Sequence, residues 1–240
     1  MPVINSQEYW NTRFNTDWIM KLGRLQSAFF ATQAITHFPA WLTNLIVNEK
    51  LNICDWGCAL GDGTNELAQA FPANHITGID FSEVAIKDAL RTYPGIEFKS
   101  ENFLETASTS KYDIFFTSNV LEHFSNPWET LLALCTFAEK HIVVLIPYKE
   151  LERHSEHEFT FTEKNIPKEL GTDFLLTHFE IADTGKCEPN YWGGLQAFLI
   201  FSHKDHLENG QLKGLSEEAI TEVDRIFFEQ SVQTLATGAN

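Results

Sequence analysis

Residues 53 to 63 read ICDWGCALGDG, and this stretch decides the fold. Leu51 and Ile53 open an apolar run that ends at Asp55. Glycines follow at 57, 61 and 63, and then TNELAQAF reads as a helix. Strand, glycine-rich turn, helix is the order in which an α/β fold holds a nucleotide-like ligand against the exposed end of a parallel strand. Glycine serves where the backbone bends tightly or meets a ligand with no Cβ between them. A dinucleotide fingerprint needs G-x-G-x-x-G. The best start, Gly61-Asp62-Gly63, puts Glu66 where the third glycine belongs.

Outward from the turn, strand-like and helix-like runs alternate, which predicts a parallel sheet with crossover helices. Strands are expected at 51–56, 75–80, 95–99, 111–118 and 141–147, with helices near 62–71, 82–93, 127–139 and 162–170. Two late strands, 174–183 and 195–203, flank TGKCEPNYWGG as an antiparallel hairpin. The aromatic residues 1–48 read as a helical cap, 49–205 as the core, and 206–240 as a helical extension with apolar positions 220, 223, 227 and 235.

With 240 residues the chain suits one well-buried α/β domain. A formal charge of −16 and no Lys/Arg cluster argue against a phosphate backbone as substrate, so no nucleic acid is expected. Four oddly spaced cysteines without C-x-x-C suggest neither disulfides nor zinc, which fits reduced thiols in a cytoplasm. No run approaches a membrane span and the N-terminus lacks signal-peptide order, so no membrane association is expected.

The frame D-x-G-x-x-x-G from Asp55 resembles motif I of the class I S-adenosylmethionine-dependent methyltransferases, usually D-x-G-x-G-x-G, with Ala59 at the middle glycine. Three further segments fall in that family's order. Asp80 ends HITGID, where a carboxylate accepts both ribose hydroxyls; its other reading, a helix N-cap, suits Ser82 better. Asn102 and Phe103 stand where the family has an acid and an apolar residue around the adenine, or else form a plain turn. TSNVLEHFSNP, 117–127, is similar to the family's segment after the fourth strand, with Asn119 for an acid. The resemblance implies a Rossmann-like three-layer sandwich with a mostly parallel seven-stranded sheet and an antiparallel last strand. It also implies S-adenosylmethionine as cofactor, leaving S-adenosylhomocysteine. The cofactor residues it implies are Asp55, Gly57, Cys58, Ala59, Gly61, Asp80, Phe81, Asn102, Phe103, Asn119, Val120 and Leu121, with Arg24 of the cap paired to the methionine carboxylate.

His123 and His157, the latter in PYKELERHSEHEFTF, are the candidate bases for an acceptor hydroxyl or amine; a purely structural histidine is the other reading of His123. HSEHE matches neither H-E-x-x-H nor H-x-x-E-H, so no metal is expected. Tyr191 and Trp192 of the hairpin loop either stack on an acceptor or pack over the core. The leading expectation is an enzyme methylating a small-molecule or glycan-type acceptor, at oxygen rather than nitrogen. Two readings stand behind it. One is a cofactor- or partner-binding module without catalysis, kept open by Ala59, Asn102 and Asn119. The other is a nicotinamide-dependent oxidoreductase, disfavoured at Glu66. The acceptor and the oligomeric state stay open.

Overall fold

The computed structural model describes residues 2–105, 109–207 and 213–237. Three helices come first: α1 (Gln7–Thr16), α2 (Gly23–Thr36) and α3 (Ala40–Glu49). Then β1 (Ile53–Trp56), α4 (Asp62–Ala70), β2 (Ile76–Asp80), α5 (Glu83–Thr92) and β3 (Glu97–Ser100) alternate. They are followed by β4 (Tyr112–Ser118), α6 (Pro127–Leu134), β5 (Ala138–Tyr148), β6 (Glu169–Leu170), β7 (Phe174–Asp183), β8 (Leu195–His203) and α7 (Glu217–Thr237).

The strands form one sheet in the order β3-β2-β1-β4-β5-β8-β7-β6. The first five are parallel. β8 inserts antiparallel to both β5 and β7. This is the expected mostly parallel α/β sheet with an antiparallel final long strand, lengthened at one edge by the two-residue β6. β1 is buried along its whole length, as a central parallel strand covered on both faces must be. The two-residue period of the pleat divides neighbouring side chains between two cores. Phe115, Val144 and Leu199 face α6 and Ile220 of α7, whereas Phe116, Val143 and Phe198 face α4 and the N-terminal helices. Helices α2 and α3 supply Phe29, Phe30, Ala34, Leu42 and Ile46 to that second core, so they are a layer of the sandwich itself. Helix α1 has no fully buried residue and packs against α5 at the C-terminal end of the sheet.

Two elements differ from the sequence expectation. Residues 162–170 contain no helix. Pro167 offers no N–H and biases Ile166 to extended backbone. Asn165 closes a turn instead, accepting from the Thr162 N–H and donating to the Thr160 carbonyl. The helix expected to reach 139 stops at Leu134, because Ala138 already pairs with Tyr112 at the start of β5.

Candidate active site

The strand order reverses between β1 and β4, and ligands of open α/β sheets sit at the carboxyl end of that reversal. Two adjoining cavities, ≈ 310 and ≈ 580 Å³, open there. Their shared walls are Trp10, Trp18, Gly57, Ala59, Asn119 and His123.

The turn between them is built from left-handed backbone. Gly57 has φ +77°, Ala59 φ 48° and Asn119 φ 52°. At Gly57 a Cβ would stand 2.5 Å from Cγ2 of Val120, so packing as well as φ demands glycine. Asparagine enters the left-handed region more readily than most residues, which gives Asn119 a backbone reason for its place. Ala59 sits there at some cost, offset by a bond from its N–H to Asp80.

Asp80 lies at the end of β2 on the wall of the larger cavity. Its Oδ2 accepts the Ala59 N–H at 3.0 Å and its Oδ1 the Ser82 N–H at 2.8 Å, leaving one lone pair on each oxygen. Burial pushes its pKa up to about 6, and the two N–H bonds hold it from rising further. Asp55, on the smaller cavity, is pushed up to about 7 by burial although Thr64 donates to it at 2.6 Å. Cys58 also lines the smaller cavity, and Phe81, Asn102 and Val120 line the larger. Asn102 Oδ1 accepts the Leu104 N–H at 3.2 Å, so the turn reading holds for one of its lone pairs.

Four expected cofactor side chains lie elsewhere. Arg24 is held in ion pairs by Asp62, at 3.0 Å, and by Asp88, off both cavities; it is not available to a carboxylate there. Phe103 stacks on Phe137 with ring centroids 4.0 Å apart and lines neither cavity. Leu121 is wholly buried beneath the turn. Gly61 is the left-handed N-cap of α4, packed under Phe98. The cationic side chains of the smaller cavity are instead Arg13 and Lys21, which sequence reading passed over. Tyr9 and Arg13, one turn apart on α1, both reach Glu156, and that i,i+4 spacing was the signal available.

The smaller cavity ends in histidines. The 3₁₀ turn Leu121–His123 after β4 is tied to the loop after β5, with the Glu158 N–H donating to the Glu122 carbonyl at 2.7 Å. His123 Nδ1 lies 3.0 Å from the Glu156 carbonyl, and His157 Nδ1 lies 2.7 Å from Glu150 Oε2. Both partners only accept, which places the proton on each Nδ1 and leaves each Nε2 bare. The rings meet edge to face at 5.2 Å. Burial, reinforced by the neighbouring imidazoles, drives His123 down to about 3, far below the range in which a general base works best. Glu122 is buried and pushed up to about 8. Trp192 of the hairpin loop joins this wall against His154 and His157, whereas Tyr191 packs on Phe29.

Comparison with known proteins agrees with this geometry. A family model described as a methyltransferase domain matches residues 47–198. Trans-aconitate 2-methyltransferase of Escherichia coli O7:K1 is 27% identical over 158 residues, 63% of this chain. The match spans 62% of that relative's length. Magnesium protoporphyrin IX methyltransferase from Synechocystis PCC 6803, solved with S-adenosylhomocysteine, superposes with a TM-score of 0.59 at 16% identity, covering 82% of this chain and 99% of that one. The plantazolicin methyltransferase, also solved with S-adenosylhomocysteine, gives 0.54 at 16% identity, over 82% and 95%. None of this favours the nicotinamide reading. No helix among the described residues is long and apolar enough to cross a membrane. From motif I through the hairpin, the chain belongs to the class I S-adenosylmethionine-dependent methyltransferase family.

Proposed function

We propose that the protein transfers the methyl group of S-adenosylmethionine to an oxygen of a small-molecule acceptor. The observation that carries this is the pair of joined cavities, with an acceptor-ready carboxylate in one, a histidine cluster in the other, and the Gly57–Ala59 turn between them. The adenosine half occupies the larger cavity. Asp80 takes the ribose hydroxyls, Phe81 flanks the base, and the free lone pair of Asn102 faces its amino group. The methionine half runs over Gly57, Cys58 and Ala59 toward Asp55 and Asn119. Gly61, Val120 and Leu121 shape the turns beneath it. Lys21, which is largely exposed and paired only with Asp17, meets the carboxylate in place of Arg24.

The sulfonium is already activated, so the protein's task is to align acceptor and methyl in line and exclude water. The acceptor oxygen then forms its bond to carbon as the C–S bond breaks and its electron pair returns to sulfur. Where the acceptor is a hydroxyl, the group that handles its proton is the His123–His157 pair; a carboxylate acceptor carries none at neutral pH. His157 is the better placed of the two, since the Glu150 carboxylate behind it stabilises an imidazolium. A cavity of ≈ 310 Å³ suits a small molecule better than a polymer or a long glycan. The acidic surface likewise disfavours nucleic acid. The trans-aconitate relatives, named for a carboxylic acid, make acids beside Arg13 and Lys21 the first acceptors to try.

Calorimetry with S-adenosylhomocysteine, NAD and NADP tests the cofactor, and only the first should bind. Turnover of small acids with labelled S-adenosylmethionine separates an enzyme from a module that only binds. Failure to bind S-adenosylhomocysteine would end the reading.

A further inference from the structure

Glu122, His123 and His157 each present one donor atom, all within 4.8 Å of one another, on the wall of the smaller cavity. The two imidazoles are oriented as metal ligands are. Each gives its Nδ1–H to an acceptor behind it, the Glu156 carbonyl for His123 and the Glu150 carboxylate for His157, and keeps a bare Nε2. Glu122 is 1% exposed, and its Oε2 has no hydrogen-bond partner among the described residues. A buried carboxyl without a partner is costly unless it keeps a proton or something positive meets it. Arg13, a cation of the same cavity wall, is already paired with Glu156 and Asp17.

We propose that Glu122, His123 and His157 bind one first-row divalent cation through a carboxylate oxygen and two imidazole nitrogens, with the remaining positions open to the acceptor. The role, though not the binding, rests on the methyltransferase reading above. Two imidazoles and one carboxylate form a donor set used for Zn²⁺ and for Fe²⁺. Adjacent ligands on bonds of about 2.0–2.2 Å stand roughly 3 Å apart, so the donors draw together by at most about 2 Å on binding. The sequence expectation of no metal rested on the spacing of histidines within one segment. This set instead joins the turn after β4 to the loop after β5, which no local motif records.

The cation changes how the acceptor proton leaves. A hydroxyl bound to it gives its proton to bulk water, by the effect that brings zinc-bound water to about pH 7. The remaining oxygen lone pair then forms the O–CH₃ bond while the C–S pair returns to sulfur, and the oxyanion and sulfonium charges cancel. With the cation bound, both histidines act as ligands and bulk water takes the proton; without it, the proton passes to the histidine pair as above.

The test uses the full chain stripped with chelator. Co²⁺ is titrated by its visible absorption, and S-adenosylhomocysteine by calorimetry in parallel. Wild type should bind one equivalent of Co²⁺. Glu122→Gln and His157→Asn should weaken it by more than about 100-fold. Glu150→Gln, which removes only the partner behind His157, should weaken it roughly 10- to 100-fold and serves where a ligand variant does not fold. Wild type that binds S-adenosylhomocysteine but no Co²⁺ overturns the cation and leaves the methyltransferase reading intact. Co²⁺ binding without S-adenosylhomocysteine binding does the reverse. Wild-type Co²⁺ affinity in all the folded variants places the ion elsewhere and also overturns the proposal.

Discussion

The two cavities meet at one turn but are made differently. The floor of the larger is shaped by the ends of β1, β2 and β4, where polar groups are set by neighbours on adjoining strand ends, and only its rim comes from the N-terminal segment and α1. Asp80, for example, is fixed by Ala59 and Ser82. The smaller is assembled from parts far apart in the chain: α1, the turn at 121–123, the loop at 154–159 and the hairpin tip. Asn5, on the rim of the larger cavity, ties the two together, donating to the carbonyls of His123 and Glu156, 118 and 151 residues away. On the proposed reading, the sheet fixes where a cofactor lies, and loop docking fixes what stands opposite it.

Substitutions at the shared turn should act on both halves and be the most severe. Gly57→Val forces a β-branched residue to φ +77° and into Val120. It should cost on the order of 3 kcal/mol of stability or more and abolish S-adenosylhomocysteine binding. A folded variant that binds normally would dissolve the distinction drawn here, since the turn would then belong to neither half. Next comes His157→Ala, expected to lower turnover by roughly 10²–10⁴ while cofactor affinity stays near normal. An equal loss of affinity would mean that the two ends are not separable.

Asp80→Ala should weaken S-adenosylhomocysteine binding by about 1.5–3 kcal/mol, as for loss of hydrogen bonds to a charged group. The same carboxylate gives a pH signature. Its pKa, like that of Asp55, is raised above the ordinary value in the folded chain. The ligand-free protein should therefore be most stable below about pH 4 with respect to these two groups, and lose that contribution as pH rises toward 6–7. Ribose binding favours the ionised form, so affinity should instead rise with pH up to about 6. Melting curves at several pH values, with and without ligand, read both slopes. The smallest effect is expected for Arg24→Ala. It breaks a part-exposed ion-pair cluster worth about 1 kcal/mol or less and should leave cofactor affinity unchanged, whereas Lys21→Ala should weaken it.

The same division governs how much could be read from sequence. Strand ends, the glycine turn and Asp80 were legible because local pattern dictates them: an apolar run, a positive-φ turn, a carboxylate at a strand terminus. Ala59 and Asn119 looked like departures from a family pattern, and their backbone angles show that they carry turn geometry. Arg24 was misplaced because nothing in the sequence says which way an arginine on a packed helix points; Asp62 and Asp88 decide it. Trp10 and Arg13 were passed over for the same reason, whereas Trp18, expected in the helical cap, does line both cavities. The helix expected at 162–170 failed on Pro167, a local signal given too little weight.

Helix α1 supplies a wall to both cavities through Trp10, buries none of its residues fully, and is tied to the 154–158 loop through Tyr9, Arg13 and the preceding Asn5. Elements with few buried contacts open at low free energy. On the proposed function, the departure of spent cofactor and that of methylated product therefore answer to one motion. Their residence times should lengthen or shorten together, and cutting the Asn5 tether should speed both.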